Sequence, residues 1–526
     1  MPSAGIVVAP RRSAAFFAFL AIGLVVFTYA LILLIAAACV YLPYLLLVAM
    51  HTLHAQVVIL LLGGLVIAGT ILFSIVPRRE KFVAPGLLLE PSAHPLLFDE
   101  IERIAADLNE PVPREVYLVG NVNAFVTDRG GLLGIGSRRV MGIGLPLFSI
   151  LNVSELRGVL AHEFAHYYAG DTRLGPWTYK TQSSVARTFR NIGSIGESVS
   201  LPGLFRVMQS VVSNILAYYF VFFLRVINFI SRKAEFRADE LACLVAGSGP
   251  VLQGLRAIHG AALAWPAYWN SEVSPVLNAG SIPPIAAGFA TFLTAPNIAV
   301  QVDQGIQKEI SEGKTKPYDS HPPLKDRLAA LENIKGRDIP ADTRSAVSLL
   351  NDPNSAELRF VQGLNPELNR TPLRPVRWNE ISELVTIPSW RSAVAEHAAA
   401  LCGLTVEAVP DVLKDLPRMC AKMKDPPGTL LDRDQRAAYA THILSVGCAI
   451  ALLDSSWTVR EQPGLIYFER DQEQLRIFAL VQELRSGSLT PESWKARCRE
   501  LSIADLPLAA PSPSTLPPRA KSEHWV

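Results

Sequence analysis

The chain has 526 residues, of which half are hydrophobic and 18% charged, a composition too apolar for an ordinary soluble protein of several domains. With 49 basic against 47 acidic residues and no basic cluster interleaved with aromatics, it offers no electrostatic case for binding nucleic acid. Its six cysteines are scattered without a CxxC pair, which argues against a disulfide scaffold and a thiolate metal site and fits a reducing compartment.

Residues 14–50 carry no charge at all, and a second apolar run follows Gln56 and ends at Pro77. A bilayer core needs about 20 helical residues, so the first run is more than long enough for one span and the second just long enough. They predict an N-terminal membrane hairpin within residues 1–79, with spans at about 14–41 and 56–76. Arg11 and Arg12 precede it and Arg78, Arg79 and Lys81 follow it, while the turn between the runs has no Lys or Arg. The positive-inside rule then puts both flanks in the cytoplasm. The competing reading, a cleaved export or lipoprotein signal, fails because the first run is too long, continues past Cys39 and is followed by a second span.

From about Glu80 the composition becomes that of a folded domain, expected over residues 80–340. "HPLLFDEIERIAADLN" (94–109) predicts an amphipathic helix, "REVYLVGNVNAFVTD" one or two short strands, and "RGGLLGIGSRRVMGIG" a hairpin with glycine turns. Those glycines match neither a Walker loop nor a dinucleotide fingerprint. "NVSELRGVLAHEFAHYY" then reads as a helix, with Asn152 and Glu155 at the spacing of a capping box. On it His162 and His166 share one face, so both imidazoles reach one tetrahedral zinc, and Glu163 projects beside them as a base for water.

A third apolar run, near 209–230, is long enough to span but contains Arg225, and it is expected to be a membrane helix. "AAGFATFLTA" (286–295) and "ATHILSVGCAIALL" (440–453) are too short to span and read as core helices. Residues 341–505 predict a mostly helical accessory domain with a strand pair around "GLIYFERDQEQLRIF" (464–478). The Pro- and Ser-rich end, 506–526, is expected to be disordered.

A catalytic zinc needs a third protein ligand and an open position. The position six residues after His166 is Thr172, which rules out a metzincin, and Arg157, Asp171 and Arg173 flank the histidine motif too closely for an intramembrane site. Between Thr172 and Ile195 there is no carboxylate, and Glu197 lies in a Gly/Ser-rich stretch. In "SRKAEFRADELACLVA", Glu235 and Asp239 lie four apart on one helical face, so one can bind zinc while the other orients a ligand histidine. Spacing alone also allows a solvated, charged start to a helix.

"VNAFV" (122–126), "LAHEFAHYYAGD" (160–171), "SRKAEFRADELA" (231–242) and "SHPPLKDRLAAL" (320–331) occur in that order, and through them the chain resembles the membrane zinc metallopeptidases that include HtpX and the CAAX prenyl proteases. The resemblance covers about residues 80–335 and implies a mainly α fold (α+β), a gluzincin-type metallopeptidase domain with a small sheet. It implies one Zn2+ per chain on His162, His166 and Glu235, Glu163 as base, and Asp239 as support. It further implies that Asn123, Ala124 and Phe125 form an edge strand to which an extended substrate adds. His321 is assigned to oxyanion or substrate stabilisation and Arg327 to holding the site together. HtpX-like proteins also imply a multi-pass protein of a bacterial inner membrane, protein or peptide substrates that include membrane proteins, and a role in their quality control. Two departures stand out. The prenyl proteases have many more spans, and HtpX-like enzymes have two apolar helices between the histidines and the glutamate, where only one run is evident here. The alternative function is a catalytically inactive zinc scaffold or a partner-gated protease. Substrate identity and oligomeric state are left open.

Overall fold

The computed structural model describes residues 12–51, 54–76, 82–129, 138–168, 171–198, 203–314, 316, 318–334, 336–364, 372–425 and 431–509, with backbone alone at 12–15, 167–168, 171–179 and 196–198. Arg11, Arg78, Arg79, Lys81, the glycine-rich turn at 130–137 and the tail from 510 lie outside the described residues.

The chain divides into two compact units, residues 1–265 with 300–366, and residues 266–299 with 367–526. This differs from a single border at residue 340, and the reasons are local. In the first unit, residues beyond 340 are stitched to an earlier helix by backbone hydrogen bonds: Val153 N donates to Arg344 O at 2.9 Å and Ala346 N to Leu151 O at 2.9 Å. In the second unit, Ser281–Ile282 pairs in parallel with Arg374–Pro375, and the ring of Tyr268 meets those of Phe289, Phe292 and Trp378.

The first unit starts with two apolar helices, α1 (Arg12–Ala49) and α2 (Ala55–Ile75), both long and apolar enough to cross a membrane. They pack so closely that a Cβ on Gly64 would lie 1.9 Å from the Cys39 carbonyl oxygen, a contact only glycine permits. Gly64→Val is therefore expected to lower the thermal aggregation midpoint of the detergent-solubilised protein. Gly69→Val, where nothing lies within 4 Å of the added carbon, is the matched control. Equal midpoints for the two variants would contradict the packing.

A four-stranded sheet follows, built from β1 (Leu87–Leu89), β2 (Glu115–Val119), β3 (Ala124–Arg129) and β4 (Arg138–Gly144), in the order β1-β2-β4-β3. β2 and β4 run parallel and the outer pairs are antiparallel, which leaves β3 at an edge. Val116, Leu118, Met141 and Ile143 are fully buried beneath α3 (Pro95–Asp107), α4 (Leu145–Ile150) and α5 (Val153–Tyr168), which carries the two histidines.

Two long helices come next. α6 (Asp171–Ser198) packs against α1, α2 and α7, and α7 (Gly203–Ala246) runs unbroken for 44 residues. The third apolar run and the carboxylate motif thus share one helix, because no Gly or Pro interrupts 204–246 and Gly247, at φ +91°, ends it. Along its apolar half, Leu204, Val207, Val211, Ile215, Tyr218, Phe222 and Phe229 form an exposed stripe at helical spacing, as lipid requires. Arg225 is exposed on the same stripe. α6 is a second helix between the histidines and Glu235, where the sequence has one apolar run. Its composition hid it, because its buried side mixes polar Thr181, Ser184 and Thr188 with Val185 and Ile192.

The second unit is a helical core around Arg433–Asp454, which is apolar enough to span but mostly buried, with residues 440–453 at its centre. Three antiparallel strands, Thr458–Gln462, Leu465–Arg470 and Glu473–Leu475, cover it, one more than the expected pair. Residues 286–295 belong to a helix that ends at Ala295 before Pro296 and buries Phe289 and Phe292.

Candidate metal centre

The histidine helix is held from its first residue. Asn152 Oδ1 accepts from Glu155 N and Glu155 Oε2 accepts from Asn152 N, each at 2.9 Å, so the capping box closes. Ser154 N donates to Asp342 O at 3.1 Å, and Ser154 Oγ accepts from Asp342 N at 2.7 Å. One turn further, buried Arg157 donates to buried Glu100 of α3. These clamps are not apparent from the local sequence, since Glu100 and Asp342 are ordinary acidic residues until the fold brings them to α5. They fix the helix that presents the metal-ligand candidates, and a buried pair of this kind is costly to break on one side.

α5 lies along α7, which brings His162 and His166 to Glu235. The two rings stand edge to face with centroids 4.9 Å apart. His162 Nε2 is 3.4 Å from Glu235 Oε2 and His166 Nε2 is 3.6 Å from Glu235 Oε1. One ligand atom from each of the three residues lies within 4.8 Å of the others. Asp239, one turn along α7, places Oδ1 2.9 Å from His162 Nδ1, on the side of the ring away from Glu235.

Arg327, on the helix Leu324–Glu332, grips Asp239 with two hydrogen bonds, Nε to Oδ2 at 2.9 Å and Nη2 to Oδ1 at 2.6 Å, and its Nη1 is 3.6 Å from Glu235 Oε2. Bidentate arginine–carboxylate pairing fixes orientation as well as charge. His321, just before that helix, puts Nδ1 3.0 Å from Glu235 Oε1 while its side chain stays 68% exposed. Glu163 shares the electrostatic environment of His162, Glu235, His321 and Arg327.

The charges are uneven. Burial pushes the Glu163 carboxyl up to about 7, with His162 opposing and Glu235 adding to the rise. Burial, joined by the neighbouring His162, drives His166 down to about 4. Burial also works against a charged His162, but Asp239 and Glu235 outweigh it and raise that histidine to about 9. The carboxylates on either side of His162 thus favour positive charge at this position. Glu235 Oε2 is buried with no hydrogen-bond partner among the described residues. That oxygen lies beside His162 and its twin beside His166, and a donor set of two imidazole nitrogens with one carboxylate suits zinc.

Asn123, Ala124 and Phe125 sit at the start of β3, the edge strand, which packs on α5. Asn123 O accepts from Gly144 N at 2.9 Å, and the Phe125 ring occupies the space a side chain at Gly142 would need. Among the described residues β3 pairs with β4 alone, so its other edge has backbone groups available to an extended chain. Asp171 and Glu197, the other carboxylates considered as ligands, have only their backbones described.

Residues 91–335 match the model of peptidase family M48. The chain is 26% identical to a protease HtpX homolog of Chlorobium phaeobacteroides (strain BS1) over 270 residues, covering 47% of this chain and 72% of that one. It is 26% identical to the homolog of Chlorobium limicola over 257 residues, 45% of this chain and 71% of the other. With the homolog of Acaryochloris marina the identity is 27% over 237 residues, 42% and 75%. No solved structure matches. The match to peptidase family M48 over residues 91–335, the likeness to HtpX proteases and the long apolar helices together support a membrane-anchored metalloprotease.

Proposed function

We propose that the chain is a zinc endopeptidase of the gluzincin type, with one Zn2+ held by His162, His166 and Glu235. The clustering of their ligand atoms within 4.8 Å carries this reading. Zinc supplies Lewis acidity at the scissile carbonyl and makes a water acidic enough to attack near neutral pH. Glu163 would take the proton of an attacking water as its oxygen adds to the carbonyl carbon and would give it to the leaving nitrogen as the C–N bond breaks. Asp239 keeps His162 turned so that Nε2 faces the cleft, and Arg327 holds Asp239 in place. Asn123, Ala124 and Phe125 take the substrate as an added strand, whose main-chain hydrogen bonds are indifferent to sequence.

His321 stabilises the oxyanion that develops at the attacked carbonyl. Its exposure and its position beside Glu235 support that role. His321→Ala is expected to lose on the order of 10²-fold in kcat with zinc content and folding intact. An unchanged kcat would return His321 to a structural role.

Membrane proteins are the proposed substrates, in the quality control of a bacterial inner membrane. Glu235 rides on the same helix as the apolar stripe, ten residues past Arg225, or about 15 Å along the axis. That keeps the cleft close to the bilayer surface. The basic flanks of the hairpin support a cytoplasmic site. Protease added to right-side-out vesicles is then expected to spare the region after Arg79. Its digestion without detergent would mean the opposite orientation.

A further inference from the structure

The apolar bundle of the first unit carries arginines that meet no carboxylate among the described residues. From Ser13 to Ile75 the chain has no charge apart from its histidines. α6 adds Lys180, Arg187 and Arg190 after Arg173, and no acid before Glu197. The apolar half of α7 adds Arg206 and Arg225, and its first acid is Glu235. These side chains therefore need an anion from outside their own helices.

Two of them sit against the packed helices. Val185 and Ile192 of α6 pack with Ile32, Ile35, Ala36 and Cys39 of α1 and with Ile67, Ala68 and Ile71 of α2. Asn191 Nδ2 donates to Ser74 Oγ of α2 at 2.9 Å. α2 has 21 residues and is about 31 Å long, barely a bilayer core, so Ile67–Ser74 belongs to its half nearer Ile75. Arg187 and Arg190, beside Asn191, therefore lie level with the last turns of α2, at the border of the hydrocarbon. Arg187 Nη1 is buried with no hydrogen-bond partner among the described residues. Arg190 is exposed, and Phe189 beside it is also exposed.

Arginine at this depth is expensive unless its guanidinium reaches an anion, and the fork geometry of guanidinium suits phosphate. We propose that Arg187 and Arg190 bind the phosphate of an anionic phospholipid, drawn from the leaflet in which α2 ends, with Phe189 against its acyl chain. Lipid is the occupant that fits because Phe189 and Arg190 are exposed on a bundle whose other outward side chains are mostly apolar. A zwitterionic headgroup is a weaker ligand, since its own ammonium competes for the phosphate. The site places a bound lipid beside the helix that directly follows the histidine helix.

Native mass spectrometry of the full-length protein, released from nanodiscs of equal parts phosphatidylglycerol and phosphatidylcholine, tests this. The first retained lipid is expected to be phosphatidylglycerol by about fivefold, the preference one membrane-surface cation confers. The double variant Arg187→Gln, Arg190→Gln is expected to bring the ratio near one. Because Arg190 is exposed, Arg190→Gln alone leaves the packing intact and is expected to reduce the excess. An undiminished excess in both variants would overturn the assignment. So would loss of the wild-type excess on adding inorganic phosphate, at matched ionic strength, which would mark a free-anion site. A wild-type ratio of one would leave these arginines to another anion, such as a carboxylate of a membrane protein partner, and would equally overturn it.

Discussion

Glu163→Gln is expected to lower kcat by about 10²–10⁴-fold while zinc stays at one per chain, because the change removes a proton acceptor and no proposed ligand. The amide matches the carboxylate in size and accepts a hydrogen bond, so a water can still sit in place, but it cannot take the proton. Burial already disfavours charge at this position and raises the carboxyl to about 7, so a neutral amide costs the fold little. Zinc content by elemental analysis and hydrolysis of an unfolded protein substrate are the two measurements. Undiminished hydrolysis in the variant would remove Glu163 from the mechanism. The same variant tests the substrate class. It is expected to retain uncut substrate, and recovery of soluble proteins alone on Glu163→Gln would contradict a role in membrane-protein turnover.

How much of this was legible before the fold depends on how local each signal is. The histidine helix and its cap are local: Asn152, Glu155, His162 and His166 lie within 15 residues, and helical periodicity alone predicts their geometry. The membrane hairpin was equally plain, because unbroken apolar runs have one physical explanation. α6 was not, since hydropathy assumes that the polar face of a helix meets water. Here Thr181, Ser184, Thr188 and Asn191 turn inward, and only packing against α1, α2 and α7 shows that.

The two compact units were not legible in the sequence for a related reason. Composition changes little around residue 266 or residue 366, and what joins 266–299 to the later unit is a two-residue strand pair and a knot of aromatic rings. Equally, Asp342 gives no sign in sequence that its backbone caps Ser154, nearly two hundred residues earlier. Such long-range contacts are absent from any window of sequence. The family resemblance could suggest Arg327 but not its partner, and the bidentate grip on Asp239 is a finding of the fold.

Glu235→Ala is expected to abolish hydrolysis by a different route, through loss of the metal. Glu235 is 3% exposed and faces His162, His166, His321 and Arg327, so its removal leaves four basic side chains with only Asp239 and the buried Glu163 as acidic neighbours. Asp239 is already engaged twice by Arg327 and once by His162, and it lies behind the ring, not in front of it. Two histidines alone then bind zinc weakly, and the fall in affinity is expected to exceed the 10–100-fold typical of losing a supporting residue. Asp239→Asn supplies that smaller loss for comparison. It keeps the three ligands and weakens only the orientation of His162. Zinc titration against a competing chelator ranks the three proteins as wild type, then Asp239→Asn, then Glu235→Ala. Circular dichroism separates loss of metal from loss of fold, and Glu235→Gln, which retains volume and a carbonyl oxygen, is the variant to use if alanine unfolds the unit. Normal zinc affinity in folded Glu235→Ala would transfer the third ligand to Asp171 or Glu197, and the geometry proposed for the cleft would fall with it.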